Sequence, residues 1–123
     1  MTTVHANTPR DALSRLEQMV GMSGVPMSQQ SIRAQIASAI RLIVQLQRFS
    51  DGVRRITHIS EITGMEGDIV QMQAIYEFRR TATDDDGTVR GELKATGLRP
   101  KMLDELRVAG VVLPSDNFDP KRV

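Results

Sequence analysis

A histidine and an asparagine near the start of the chain have side chains and a position suited to ligand chemistry. His5 and Asn7 lie between a strand-like segment, residues 1–5, and a helix that begins at Thr8. In open α/β sheets, ligands bind where strands lead into helices. At such a turn, His5 could donate a hydrogen bond to a phosphate oxygen, and Asn7 could orient it or contact the ligand itself. A histidine that only ends a strand, beside an asparagine that caps the loop, also fits this spacing.

Three arginines around a tight turn form a second candidate site. Arg48, Arg54 and Arg55 flank the turn at Ser50-Asp51-Gly52. The planar guanidinium group makes bidentate contacts with phosphate and carboxylate. These arginines could therefore reach a phosphate of a nucleotide held by an adjoining subunit, or they could pair with acids on the same surface.

The remaining polar groups lack the spacing of a catalytic or metal site. The run Asp84–Asp86 has neither the alternating ligands nor the closing Glu of a calcium loop, so we expect a solvated hairpin tip. His58 is expected to be a half-buried or exposed strand residue. The chain contains no cysteine, which excludes thiolate zinc sites. It also has no Gly-Lys pair, and hence no phosphate loop, and no strand ending in the acidic pair that holds Mg²⁺. We therefore expect no metal site and no catalysis by this chain alone.

Composition restricts the class of protein. The 123 residues carry 16 basic and 15 acidic side chains, for a net charge of +1. A nearly neutral chain with three phenylalanines and one tyrosine does not suit a nucleic-acid partner, which needs a basic field and stacking rings. No apolar run approaches the roughly 20 residues that span a bilayer. We expect a cytoplasmic protein with one domain, or a large piece of one.

Hydrophobic periodicity predicts two helices, about four strands in an antiparallel meander, and a third helix. Thr8 and Ser28 are the expected caps of the first two helices. Near Ile40 the apolar pattern changes from a helical to an alternating period. The last helix is expected from Pro100 to Gly110, and residues 114–123 are expected to fray as a tail. The strand-like residues 1–5, which lead directly into a helix, place this locally α+β arrangement at the edge of a larger α/β domain.

Three blocks of the sequence resemble one family. The first is TTVHANTPRDALSRLE, the second is IRAQIASAIRLIVQLQRFSDGVRRITHISEITGMEGD, and the third is GTVRGELKATGLRPKMLDEL. They are similar to the histidine box and the following region of the motor ATPases of type II and type IV secretion and pilus assembly, in particular the CpaF/TadA branch. Members of this family are cytoplasmic RecA-like P-loop ATPases. They act as hexameric rings on an inner-membrane platform protein.

The resemblance implies that residues 1–113 are the C-terminal part of such an ATPase domain, from the histidine box onward, without its phosphate loop (Walker A) and acidic Mg²⁺ motif (Walker B). It implies ATP and Mg²⁺ as cofactors of the whole protein, none for this chain alone, and a peripheral position at the inner face of the membrane. As a piece of a larger domain, the chain is expected to expose the apolar face of residues 1–4 and of the first helix.

The roles of the family's site residues are transferred to the positions of this sequence that match its motif. His5 matches the box histidine, which lies near the γ-phosphate, so the resemblance implies a catalytic and nucleotide-binding role, with Asn7 in the same box. Arg48, Arg54 and Arg55 match a region of the family and are implied as subunit-interface or phosphate contacts. Arg41 stands where the family has an acidic residue. The alternative function is a non-catalytic binding or oligomerisation module that docks on a related ring.

Overall fold

Two helices precede a four-stranded antiparallel sheet, and a third helix follows it. The computed structural model describes residues 1–24 and 26–121. The elements are α1 (Pro9–Gly21), α2 (Gln29–Ala39), β1 (Leu42–Arg48), β2 (Arg54–Glu66), β3 (Ile69–Thr83), β4 (Val89–Ala95), α3 (Met102–Val108) and a 3-10 turn (Ser115–Phe118). The mixed α+β content and the predicted order of elements are confirmed. No helix in the described part of the chain combines the length and apolarity needed to cross a membrane.

Both N-terminal helices begin at the predicted caps. The hydroxyl of Thr8 accepts a hydrogen bond from the backbone N–H of Asp11 at 3.0 Å, and Ser28 accepts one from Ser31 at 3.1 Å. Each cap satisfies one of the N–H groups that have no partner within the helix. Apolar side chains at helical spacing then bury one side of each helix against the sheet. The resulting core contains Leu13, Ile32, Ile36, Ile62 and Val70.

The sheet has the strand order β1-β2-β3-β4, with every pair antiparallel. The change of period near residue 40 is confirmed, because α2 ends at Ala39 and β1 begins at Leu42. A tight turn joins β1 to β2. In it, the N–H of Phe49 bonds to the carbonyl of Val53, and Gly52 adopts a φ of 81° that only glycine reaches without strain.

The C-terminal segment covers the opposite face of the sheet from α1 and α2. Ile75 of β3, Leu103 of α3 and Phe118 of the 3-10 turn form a second buried cluster. The expected fraying of the tail is therefore wrong for Phe118. Burial of its ring stabilises the segment and offsets the conformational entropy that is lost when the segment becomes ordered. Residues 122 and 123 of the predicted tail lie outside the described residues.

The first residues do not form the expected strand. Residues 1–6 have no regular secondary structure. A strand requires a neighbour for its N–H and C=O groups, and within residues 1–24 and 26–121 the sheet consists of β1 to β4 alone. The apolar face of α1 is only partly exposed, because Ala12 and Leu13 are buried in the core, whereas Met19 stays exposed on the helix and Met1 is exposed as expected.

Candidate functional site

The segment that carries His5 and Asn7 is fixed between β1 and the start of α1. The side-chain amide of Gln45, buried on β1, donates a hydrogen bond to the carbonyl of Ala6 at 2.8 Å. On the other side, the capped first turn of α1 begins at Pro9. The backbone around Ala6 is therefore anchored, although it belongs to no strand or helix.

The two predicted site residues of this segment face solvent. His5 and Asn7 are both exposed, and neither side chain has a hydrogen-bond or ion-pair partner among residues 1–24 and 26–121. An exposed imidazole can donate or accept a hydrogen bond, and a carboxamide can do both at once. The segment thus presents two free polar groups on an anchored backbone. The other histidine, His58, is half-buried in β2 as predicted, with Nδ1 3.1 Å from the hydroxyl oxygen of Thr57.

The three predicted arginines do lie together in the β1–β2 hairpin. Arg48 and Arg54 stand directly opposite each other in the strand register, and both are exposed. Neither has an acidic partner in the described part of the chain. Like charges that face each other across a strand pair are destabilising, so an anion bound between these two guanidinium groups would relieve repulsion already present in the fold.

Arg55 differs from its two neighbours because the fold already uses its charge. It donates to both carboxylate oxygens of Asp51, at 3.0 and 2.8 Å, and to the carbonyl of Val89 at 3.1 Å. Its guanidinium carbon lies 5.0 Å from the ring centroid of Phe49 and 5.9 Å from that of Phe78. These contacts give Arg55 a structural role, and the phosphate contact implied for it stays a prediction.

Asp51 connects the β1–β2 turn to the first residue of β4. Besides Arg55, its carboxylate accepts from the backbone N–H groups of Val89 at 2.9 Å and Val53 at 3.1 Å. The hydrogen bonds from Arg55, and then those from Val89 and Val53, hold the pKa of Asp51 far below its usual value of 3.8. The carboxylate is thus a bridge between two hairpins.

This bridge predicts an acid-dependent loss of stability. Because the pKa of Asp51 is lower in the folded state, its contribution to the free energy of unfolding is complete above about pH 4 and is lost as the pH falls further. Asp51→Asn should therefore be less stable than the wild type at neutral pH, and the difference should shrink below about pH 4. Urea unfolding at a series of pH values measures the difference in the free energy of unfolding between the two proteins. Asp85→Asn, at an exposed position of the hairpin tip, is the matched control, and identical pH profiles for Asp51→Asn and the wild type would contradict the prediction.

A buried glutamate that sequence reasoning missed holds α3 on the sheet. Glu61 of β2 is 1% exposed. Its carboxylate accepts from the backbone N–H groups of Lys101 at 2.7 Å and Met102 at 2.9 Å, and from the side-chain amide of Gln73 at 3.0 Å. These N–H groups lie at the start of α3, where a negative charge is favourable. Glu61 therefore caps a helix that begins about forty residues later in the chain.

Comparison with known proteins gives a partial similarity. No family model matches the chain. Two Mycobacterium tuberculosis proteins, from the strains CDC 1551 / Oshkosh and H37Rv, are each described as a "putative conjugal transfer protein". Each is 27% identical to the chain over 93 residues, which are 76% of this chain and 26% of the relative. The chain thus spans about a quarter of the length of the curated relatives it matches.

The geometry separates the polar groups that are available to a ligand from those that the fold has already engaged. His5, Asn7, Arg48 and Arg54 are available, whereas Arg55 is engaged. The described residues contain no group of three or more His, Cys, Asp or Glu side chains that could hold a metal ion. Gln45 and Glu61 position the site and α3, and no local pattern in the sequence indicates either role.

Proposed function

We propose that this chain is the C-terminal part of a RecA-like P-loop ATPase that powers type II/IV secretion or pilus assembly. The observation that carries the proposal is the similarity over 93 residues to two proteins whose description names conjugal transfer, which, like secretion, is a transport process. The resemblance of the histidine-box segment to the CpaF/TadA branch supports the same proposal. The phosphate loop and the Mg²⁺-binding acids would be supplied by other parts of a longer polypeptide.

The residues of the candidate site fit a phosphate ligand. His5 and Asn7 are exposed hydrogen-bonding groups on a backbone anchored by Gln45. In the intact ATPase, His5 contacts the γ-phosphate of ATP and Asn7 fixes the geometry of that contact. ATP bound with Mg²⁺ supplies the phosphoryl group, whose transfer depends mainly on positioning and charge stabilisation. A change at His5 is passed directly into α1, which begins four residues later.

Arg48 and Arg54 are assigned to the contact between subunits of a hexameric ring. Their opposed and unneutralised charges favour an anion supplied from outside the chain. A phosphate of the nucleotide in the adjoining subunit has the required charge. In this proposal the ring acts in the cytoplasm, bound peripherally at the inner face of the membrane to a platform protein of the secretion or pilus machinery.

Titration with ATP and Mg²⁺ tests the proposal. The present chain is compared with the same chain joined to the upstream region of a longer gene product. We expect binding and turnover only in the longer protein, because only that protein would contain a phosphate loop. Tight binding by the present chain, or no binding by either, would overturn the proposal. If the chain instead co-elutes with a related ATPase ring in size-exclusion chromatography and shows no ATP turnover, the result supports the alternative, a non-catalytic module that docks on such a ring.

Replacement of His5 tests its role directly. In the longer protein, His5→Ala should lower ATP turnover at least about tenfold, because a hydrogen bond that stabilises the transferring phosphoryl group is lost. The melting temperature should not change, since the imidazole is exposed. Thr2→Ala, another exposed position of the same segment, is the control and should retain turnover. Unchanged turnover in His5→Ala would remove His5 from the catalytic site.

A further inference from the structure

We propose that the free edge of β1 is the place where a strand–helix unit of a longer polypeptide joins this sheet. The strand would pair with the β1 backbone, and the helix would cover the apolar side chains beside it. This inference rests on the proposed function only in requiring a longer protein. It assigns the junction to β1, whereas the sequence pattern placed the exposed apolar face on residues 1–4 and α1.

The first observation is a stripe of exposed apolar side chains on β1. Leu42, Val44 and Leu46 are 45%, 48% and 57% exposed. They alternate with Ile43 and Gln45, which face the helix-covered side of the sheet, where Ile43 packs against the core. Three large apolar residues in a row on one strand face carry a substantial solvation cost, and contiguous exposed apolar surface marks an interaction site.

The second observation is the direction of the β1 backbone groups. The N–H of Ile62 bonds to the carbonyl of Arg41 at 3.0 Å. Because hydrogen-bonded and non-hydrogen-bonded residues alternate along an antiparallel strand, the N–H and C=O groups of Leu42 and Val44 are directed away from β2. Among residues 1–24 and 26–121, no backbone group bonds to them on that side. The edge can therefore accept another strand.

The third observation is the contrast with the other edge of the sheet. β4 carries Arg90, Glu92 and Lys94, and charged side chains are a common protection against unwanted strand pairing. β1 has no charged residue from Leu42 to Gln47. A strand with apolar residues on both faces is typical of the interior of a sheet that has helices on both sides. β1 thus has the composition of an interior strand at the position of an edge strand.

Length selects the occupant. The chain spans about a quarter of the length of its curated relatives, so a longer polypeptide has ample residues for a further strand and helix. A second copy of this chain is the alternative occupant, and the concentration dependence of amide exchange described below separates the two.

The test compares the same substitution at the two edges of the sheet. Val44→Lys and Leu93→Lys each place a charge at an exposed apolar position, one on β1 and the other on β4. In the present chain both variants should melt close to the wild type, because neither side chain is buried. In the longer protein, Val44→Lys should melt well below the wild type and Leu93→Lys should not. Equal melting temperatures for the wild type and the two variants of the longer protein would overturn the inference.

Amide hydrogen exchange gives an independent measurement that needs no substitution. The N–H groups of Leu42 and Val44 should exchange at least about 100-fold more slowly in the longer protein than in the present chain. Equal rates would overturn the inference, and so would protection in the present chain that grows with its concentration, which would identify a second copy as the occupant. ATP turnover without protection would reject only this inference, whereas protection without ATP binding would reject only the ATPase proposal.

Discussion

Replacing Glu61 with alanine is expected to release α3 from the sheet and to cost about 3 kcal/mol of stability, because three donors lose their acceptor and each unsatisfied buried donor costs about 1–3 kcal/mol. Part of this cost is recovered when the helix start opens to water, so local opening of α3 should precede global unfolding. The buried contacts of Leu103 and Phe118 with Ile75 should loosen in the same step.

Urea unfolding followed by circular dichroism measures the global loss, and amide exchange at Lys101 and Met102 measures the local opening. Glu61→Gln is the matched variant. It keeps the shape and one acceptor oxygen but turns an NH₂ group toward a backbone donor, so we expect an intermediate loss of about 1–2 kcal/mol. If α3 remains as protected in Glu61→Ala as in the wild type, the carboxylate does not hold the helix.

Replacing Gly91 with alanine should destabilise the β3–β4 hairpin by about 3 kcal/mol, near the upper end of the usual range for overpacking. A Cβ at this position would lie less than 3.0 Å from the carbonyl oxygen of Arg79 and from the ring of Phe78. The carbonyl belongs to the strand backbone and cannot move alone. Phe78 packs edge-to-face against Phe49 at a centroid distance of 5.0 Å, so a displaced ring disturbs the Arg55 contacts as well.

Gly21→Ala is the matched control for this prediction. Gly21 ends α1 with a φ that is not positive, and a Cβ there would meet no atom within 4 Å. Alanine is favoured over glycine in a helix by about 0.5–1 kcal/mol, so this variant should be as stable as the wild type or slightly more stable. Thermal melts of the two variants measure the difference, and equal melting temperatures would show that the strand pair adapts to the added methyl group.

The order of elements was accessible from the sequence because its signals are local. The caps at Thr8 and Ser28, the change from helical to alternating spacing before Leu42, and the Asp-Gly turn each depend on a few neighbouring residues. These short-range patterns are the ones that hydrophobic periodicity and turn chemistry describe. Residue type and spacing also selected His5 and the arginine hairpin as candidates, and the roles that the resemblance implies for them stay predictions.

The parts that sequence missed depend on residues far apart in the chain. The cap that Glu61 provides to α3, the bond from Gln45 to Ala6 and the bridge from Asp51 to Val89 each join segments that meet only after folding. The strand expected for residues 1–5 fails for a related reason. Strand formation depends on a neighbour, and a local pattern of β-branched residues carries no information about whether one is present.

The bridge from Asp51 to Val89 has a consequence for the evolution of this region. Surface turns usually tolerate insertions and deletions among related proteins. Among residues 1–24 and 26–121, the acidic tip at Asp84–Asp86 makes its hydrogen bonds and its ion pair only with residues 84–90. The Asp51 turn differs, because its side chain must reach both Arg55 and the first residue of β4. An added or removed residue would displace the carboxylate from both. Homologues that share this fold should therefore vary in length at the acidic tip while the turn between Phe49 and Val53 stays constant.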